Sequence, residues 1–251
     1  MEENNGYLAL IFFIIFIFIL KKPNKFKIVF NNNLNRKNIF IISNEKKFKR
    51  YSDIINFEDS DSVYKFFNKI DLDQDLHLII ITEGGESENP DVISYQISQL
   101  KDFGYKNKVN VYIPSFAMSS GSMMMLAADN IYMDWYSGTS PVDTQIEYEM
   151  EETESFSVKH LKEIKTKGEF KERYSELIKK DAESIYFTDV YMLKRILKNN
   201  INKNKIIRHI FDTKLSHGMT FNHIDLKNMG LNIITPIPEN IRKISDKLIN
   251  L

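Results

Sequence analysis

The chain contains no cysteine. That absence excludes disulfides, thiolate metal sites and a cysteine nucleophile. A surplus of either charge is also missing, because 34 Lys and Arg balance 34 Asp and Glu. Nucleic-acid-binding proteins normally carry a basic excess, so a nucleic-acid partner is not expected. No P-loop pattern follows the paired glycines at Gly84-Gly85, which argues against a phosphate cradle. No internal repeat is visible, and no cofactor or metal is expected. The 251 residues, less an N-terminal tail, leave one domain of about 200 residues, enough for a single α/β core.

Tyr7 to Leu20 (YLALIFFIIFIFIL) is uninterrupted apolar sequence, followed by Lys21, Lys22, Pro23 and Lys25. As a helix it covers roughly 21 Å, short of the ~30 Å hydrocarbon core, a gap that flanking residues and local thinning can close. The preceding stretch is acidic (Glu2, Glu3) and no small-x-small site follows, so a cleaved signal peptide fits poorly. Soluble core helices are rarely apolar on every face. The segment therefore predicts a single-pass membrane anchor. Its trailing lysines favour a cytoplasmic C-terminal domain. The expected organisation is tail and anchor over 1–22, a linker or edge strand over 23–37, and a single folded domain over 38–251.

Beyond the anchor, Phe26 to Phe30 and Asn38 to Ile42 read as short strands, and Asp59 to Asn68 as a helix carrying Val63, Phe66 and Phe67. Leu76 to Thr82 (LHLIIIT) has the apolar pattern of a strand buried on both faces. Pro90 to Phe103 reads as a helix, Val109 to Ile113 as a strand, Ser119 to Ala128 as a helix and Asn130 to Trp135 as a strand. Strand and helix alternating at this spacing predict an α/β fold with right-handed parallel crossovers. Past Pro141, Val158 to Leu197 is helical in two or more segments. Asn199 to Asn204 reads as an exposed turn, Ile224 to Met229 as a short helix and Leu231 to Ile234 as a last strand.

Two segments carry chemistry. Gly84-Gly85 at a strand exit lets a backbone N–H approach a ligand oxygen, although glycines alone also suit an ordinary turn. Ala117-Met118-Ser119-Ser120-Gly121-Ser122 opens a helix, where a serine serves as a cap, as a nucleophile, or as both. Met123, Met124 and Met125 read as core filler. Of the five histidines, His77 lies in a buried-strand pattern, and none, including His160, His209, His217 and His223, clearly suits a Ser-His pair. Lysine replaces histidine where burial keeps it neutral. Lys159, Lys162, Lys165 and Lys167 share one segment, in which any one of them also reads as solvated surface.

Taken in order, Ile81-Thr82-Glu83-Gly84-Gly85, Val111 to Pro114, Ala117 to Ser122, Ala127 to Asp134, Pro141 to Ile146 and Ser216 to Leu231 resemble the ClpP-class serine proteases. The branch resembled is the serine dehydrogenase proteinase family, related to signal peptide peptidase A. The resemblance implies a ClpP/crotonase-like fold of repeated ββα units forming a sheet flanked by helices, and peptide hydrolysis by a Ser-Lys dyad. It places the nucleophile at Ser119 and the oxyanion donors on the N–H groups of Gly85 and Ser120. The base falls on Lys165, with Lys162 and Lys159 as further candidates. It also implies a polypeptide substrate, a membrane location and a homo-oligomer. Glu83 departs from the family's proline before the glycines, bringing a carboxylate near the oxyanion. Thr139-Ser140 replaces the usual Leu-Gly, and residues 147–156 are acidic and long. An inactive homologue acting as a binding or assembly module is the alternative. A crotonase-type acyl-CoA enzyme shares the fold but explains neither the Ser119 motif nor the anchor.

Overall fold

The computed structural model describes residues 38–43, 57–85, 88–149, 153–161, 169–212 and 215–249. The expected anchor, the linker and the strand at 26–30 lie outside the described residues. Among those described, no helix is long and apolar enough to cross a membrane.

The first half alternates as expected: β1 (Asn38–Ser43), α1 (Phe57–Phe67), β2 (Leu76–Ile81), α2 (Glu88–Asp102), β3 (Val109–Ile113), β4 (Phe116–Ala117), α3 (Ser120–Leu126), β5 (Asn130–Met133) and β6 (Gly138–Thr139). A hairpin follows, β7 (Gln145–Glu149) with β8 (Thr153–Ser157). Then come α4 (Val158–Leu161), α5 (Glu169–Ile196), α6 (Lys203–Ile210), α7 (His223–Met229), β9 (Ile233–Ile234) and α8 (Glu239–Ile249).

The main sheet has the order β1-β2-β3-β5-β9 and is parallel throughout. Side chains alternate faces along each strand, so the register builds two rows. Phe40, Leu78, Val111 and Ile131 align on one face and join the large core with Val63 and Phe66 of α1, Ile93 and Ile97 of α2 and the methionines of α3. Ile41, Ile79, Tyr112 and Tyr132 align on the other, beneath Ile237 and Ile241 of the C-terminal segment. This is why LHLIII lacks polar alternation: both faces of β2 are covered. Each such Leu or Ile contributes about 1.5–3 kcal/mol relative to exposure. His77 has the structural role expected of it, with Nδ1 2.7 Å from the Tyr112 hydroxyl.

Four elements differ from expectation. The acidic stretch after Ile146, for which no element was expected, contributes to the antiparallel pair β7–β8. The expected turn at Asn199 to Asn204 is shorter, because α6 begins at Lys203 and anchors itself through buried Ile206 and Ile210. The residues after Pro238, for which no element was expected, form α8, whose Ile241 closes the second face of the sheet. The last strand contracts to Ile233–Ile234.

Candidate active site

The end of β2 and the start of α3 are laced together. Thr82 N–H donates to Phe116 O at 3.1 Å, and Met118 N–H donates to Thr82 O at 2.9 Å. The Thr82 hydroxyl closes a tight turn on Gly84, accepting from its N–H at 3.0 Å. Gly84 has φ +129°, a conformation that a residue with a Cβ adopts only under strain. A Cβ built there would stand 3.1 Å from Ser119 Cβ. The glycine loop therefore passes directly against the serine.

Ser119 has φ 51° and ψ −116°, and it is the one non-glycine residue of positive φ among those described. Such a backbone costs of order 1–3 kcal/mol and persists only where its surroundings impose it. Three observations show what imposes it here. Gly121 abuts the Thr82 methyl so closely that an added Cβ would lie 2.7 Å away. Ser119 N–H donates to Ser140 Oγ at 2.6 Å. Ser122 Oγ bonds Ala117 O at 2.9 Å and Ser140 O at 2.8 Å, and accepts from Ser140 N–H. Ser119 occupies the N-cap position of α3, yet its side chain makes no capping hydrogen bond. The cap role that the sequence also allowed is thus not used. Its side chain stands at a sharp strand-to-helix bend.

Ser120 is buried and its Oγ has no hydrogen-bond partner among the described residues. Gly85 is half-buried and Glu83 is exposed, so the carboxylate before the glycines lies at the solvent side. Met123, Met124 and Met125 fill the core as expected.

Lys165 and Lys162 lie outside the described residues. Lys159, on α4, is fully buried. Its amine donates to Asp212 O at 3.4 Å, stands 3.9 Å from Asp143 Oδ1 and lies 5.5 Å over the Phe211 ring. Burial pushes its proton affinity below that of an ordinary lysine, while Asp143, Asp212 and Asp189 pull the other way. Among the described residues the Lys159 amine and the Ser119 hydroxyl make no hydrogen bond to each other. The segment from Ser140, bonded to Ser119, to Asp143, beside Lys159, links them over at most about 10 Å of chain.

Two further carboxylates gather here to which the sequence reading gave no role. Asp143 is buried, accepts from Ser157 Oγ at 2.8 Å and faces His217 Nδ1 at 4.0 Å. Asp189 of α5 accepts from Thr144 Oγ1 at 2.9 Å, and burial raises its carboxyl to about 6. Pro141 to Ile146 was noted as a motif, but its partners are distant in sequence and no spacing could join them.

A family model for ClpP-like SDH-type serine proteinases matches residues 1–248. An uncharacterized protein of Methanocaldococcus jannaschii is 37% identical over 92 residues, covering 37% of this chain and 30% of that relative. A second uncharacterized protein of that organism is 23% identical over 262 residues, covering 96% of this chain and 87% of its own length. Among solved structures, an alanine mutant of the 1510-N membrane-bound stomatin-specific protease superposes with a TM-score of 0.50 at 13% identity. That superposition covers 84% of this chain and 86% of the other, and it supports the fold.

Proposed function

Because this chain belongs to the ClpP-like SDH-type serine proteinases, we propose that it is a membrane-anchored serine endopeptidase whose nucleophile is Ser119. The observation that carries the reading is the strained, uncapped backbone of Ser119 at the β4–α3 bend, braced by Gly84, Gly121 and Ser140. Strain of this kind collects at functional sites, and an ordinary helix cap needs none.

In the proposed mechanism, a neutral lysine takes the Ser119 proton and Ser119 Oγ attacks the scissile carbonyl carbon. The N–H groups of Gly85 and Ser120 receive the developing oxyanion, each worth roughly 3 kcal/mol of barrier. The tetrahedral adduct collapses, the lysine hands its proton to the leaving amine, and an acyl-serine remains. The lysine amine then takes a proton from water, which attacks the ester carbonyl; the adduct collapses to the free acid and the lysine returns the proton to Ser119 Oγ. Among the described residues, Lys159 is the lysine whose surroundings support this role, since burial favours the unprotonated amine. Lys165, implied by the family resemblance, is the competing assignment.

Labelling of the full-length protein with a fluorophosphonate tests the reading. Ser119→Ala and Lys159→Met are expected to abolish labelling, with Lys165→Met retaining it. Loss in Lys165→Met with retention in Lys159→Met would move the base to Lys165. A folded wild type that never labels would favour the binding-module alternative.

The proposal includes the anchor over 1–22, a cytoplasmic catalytic domain, a polypeptide substrate and a homo-oligomer. Leu177, Phe187 and Tyr191, exposed along one side of α5, form a surface suited to self-association. Extraction only by detergent, and sedimentation above the monomer mass, are the expected results.

A further inference from the structure

Asp143 presents one oxygen to each of two basic groups. Oδ1 accepts from Ser157 Oγ at 2.8 Å and lies 3.9 Å from Lys159 Nζ. Oδ2 accepts from Gln145 Nε2 at 3.0 Å and lies 4.0 Å from His217 Nδ1. The carboxylate is 1% exposed, whereas the His217 side chain is 41% exposed. Nδ1 of that histidine is itself buried, with no hydrogen-bond partner among the described residues. A carboxylate this deeply buried needs compensation by charge as well as by neutral donors. Here the compensation comes from both sides, one group internal and one reaching solvent.

We propose that Asp143 is a positioning residue shared between the Lys159 amine and the His217 imidazole, so that the charge on His217 sets the pH at which Ser119 is activated. This rests on the reading of Lys159 as base. Lys159 acts only when neutral. The negative charge of Asp143 holds the ammonium form, and a positive His217 offsets that charge. With His217 protonated, Lys159 releases its proton more readily. With His217 neutral, Asp143 acts on Lys159 unopposed, and the ammonium persists to higher pH. Histidine is the side chain whose charge changes nearest neutrality and therefore suits this task. The other charged groups facing Lys159 among the described residues are Asp212, which follows α6, and Asp189 of α5. Both remain in every variant below; burial raises the Asp189 carboxyl to about 6, so its charge changes along the profile and variants are compared with the wild type at each pH.

The test is the rate of fluorophosphonate labelling of the full-length protein as a function of pH. Asp143→Asn removes the charge that holds the ammonium, so the acidic limb moves to lower pH by about one unit, a tenfold faster reaction on that limb. His217→Lys, a permanent cation at a half-exposed position, moves it the same way, while His217→Gln does not move it down. A residue that only supported the fold would change stability and leave the limb in place. If Asp143→Asn fails to fold, the contrast between His217→Lys and His217→Gln carries the test. Folded Asp143→Asn and His217→Lys variants whose limb stays at the wild-type pH, alongside a Lys159→Met that does not label, would overturn the shared-carboxylate role. Wild-type labelling by Lys159→Met would instead overturn the base assignment, and the positioning role with it.

Discussion

Replacing Ser119 by glycine should stabilise the fold while removing the proposed nucleophile. The backbone at φ 51°, ψ −116° is unfavourable for any residue with a Cβ. The stored strain is about 1–3 kcal/mol. Glycine releases that strain but loses more entropy on folding, roughly 0.5–1 kcal/mol. The net expectation is Ser119→Gly more stable than Ser119→Ala by about 1 kcal/mol. Alanine keeps both the Cβ and the strain, and both variants retain the N–H that Ser140 Oγ accepts. Measured by urea denaturation at equal m-values, the difference appears as a shifted midpoint. In a thermal scan of a domain this size it appears as roughly 2–4 °C. The Ser119→Ala variant is the proper reference, since both lack the hydroxyl and any solvation it brings. Equal midpoints, or a less stable glycine variant, would refute the claim that the site holds strained backbone, and with it the main support for Ser119 as nucleophile.

Other perturbations follow from the same geometry. Gly84→Ala places a Cβ 3.1 Å from Ser119 Cβ on a backbone of φ +129°. It should cost about 1–3 kcal/mol of stability and slow labelling about 100-fold through displacement of the serine; unchanged labelling would contradict the contact. Asp189 titrates near 6, against 3.8 for an ordinary aspartate, because burial disfavours its charge. The folded protein therefore holds this proton more tightly than the unfolded chain, so the contribution of this group to stability is greatest below pH 4, falls as pH rises to about 6, and is then level. The full span is at most roughly 3 kcal/mol. Asp189→Asn should flatten that slope in denaturation curves at pH 4 to 7, and an unaltered slope would place its origin elsewhere. Leu78→Ala, in the buried row of β2, should cost about 2–5 kcal/mol in the same assay.

The layered core was legible in the sequence because apolar runs read directly as burial on two faces. LHLIII and VNVYI became central strands, and the helix before Gly104 became α2. Elements whose stability comes from tertiary contact were not legible. The β7–β8 hairpin is built from an acidic stretch with little alternation. Helix α6 starts inside a run of Asn and Lys that locally favours a turn, and only the burial of Ile206 and Ile210 decides in favour of helix.

The two halves of the candidate site differ in the same way. Ser119 is marked by its neighbours in the chain: small residues before a helix, with glycines at the close approaches. Those are local requirements, and the sequence displays them. A basic lysine is marked by what surrounds it in space, and several lysines of that segment look alike in one dimension. Lys159 is distinguished by Asp143, Phe211 and Asp212, which come from the loop after β6 and from the end of α6. Its burial is fixed when α4 packs Val158 and Leu161 against Ala182 of α5. The amphipathic face of a helix four residues long is too short to read as a period. The conformation of the proposed nucleophile is therefore set by local backbone geometry, whereas the surroundings of the Lys159 amine are set by the assembled fold. Substitutions in the core beneath α4, far from Ser119 in sequence, should consequently alter the pH dependence of labelling before they alter the conformation of the serine.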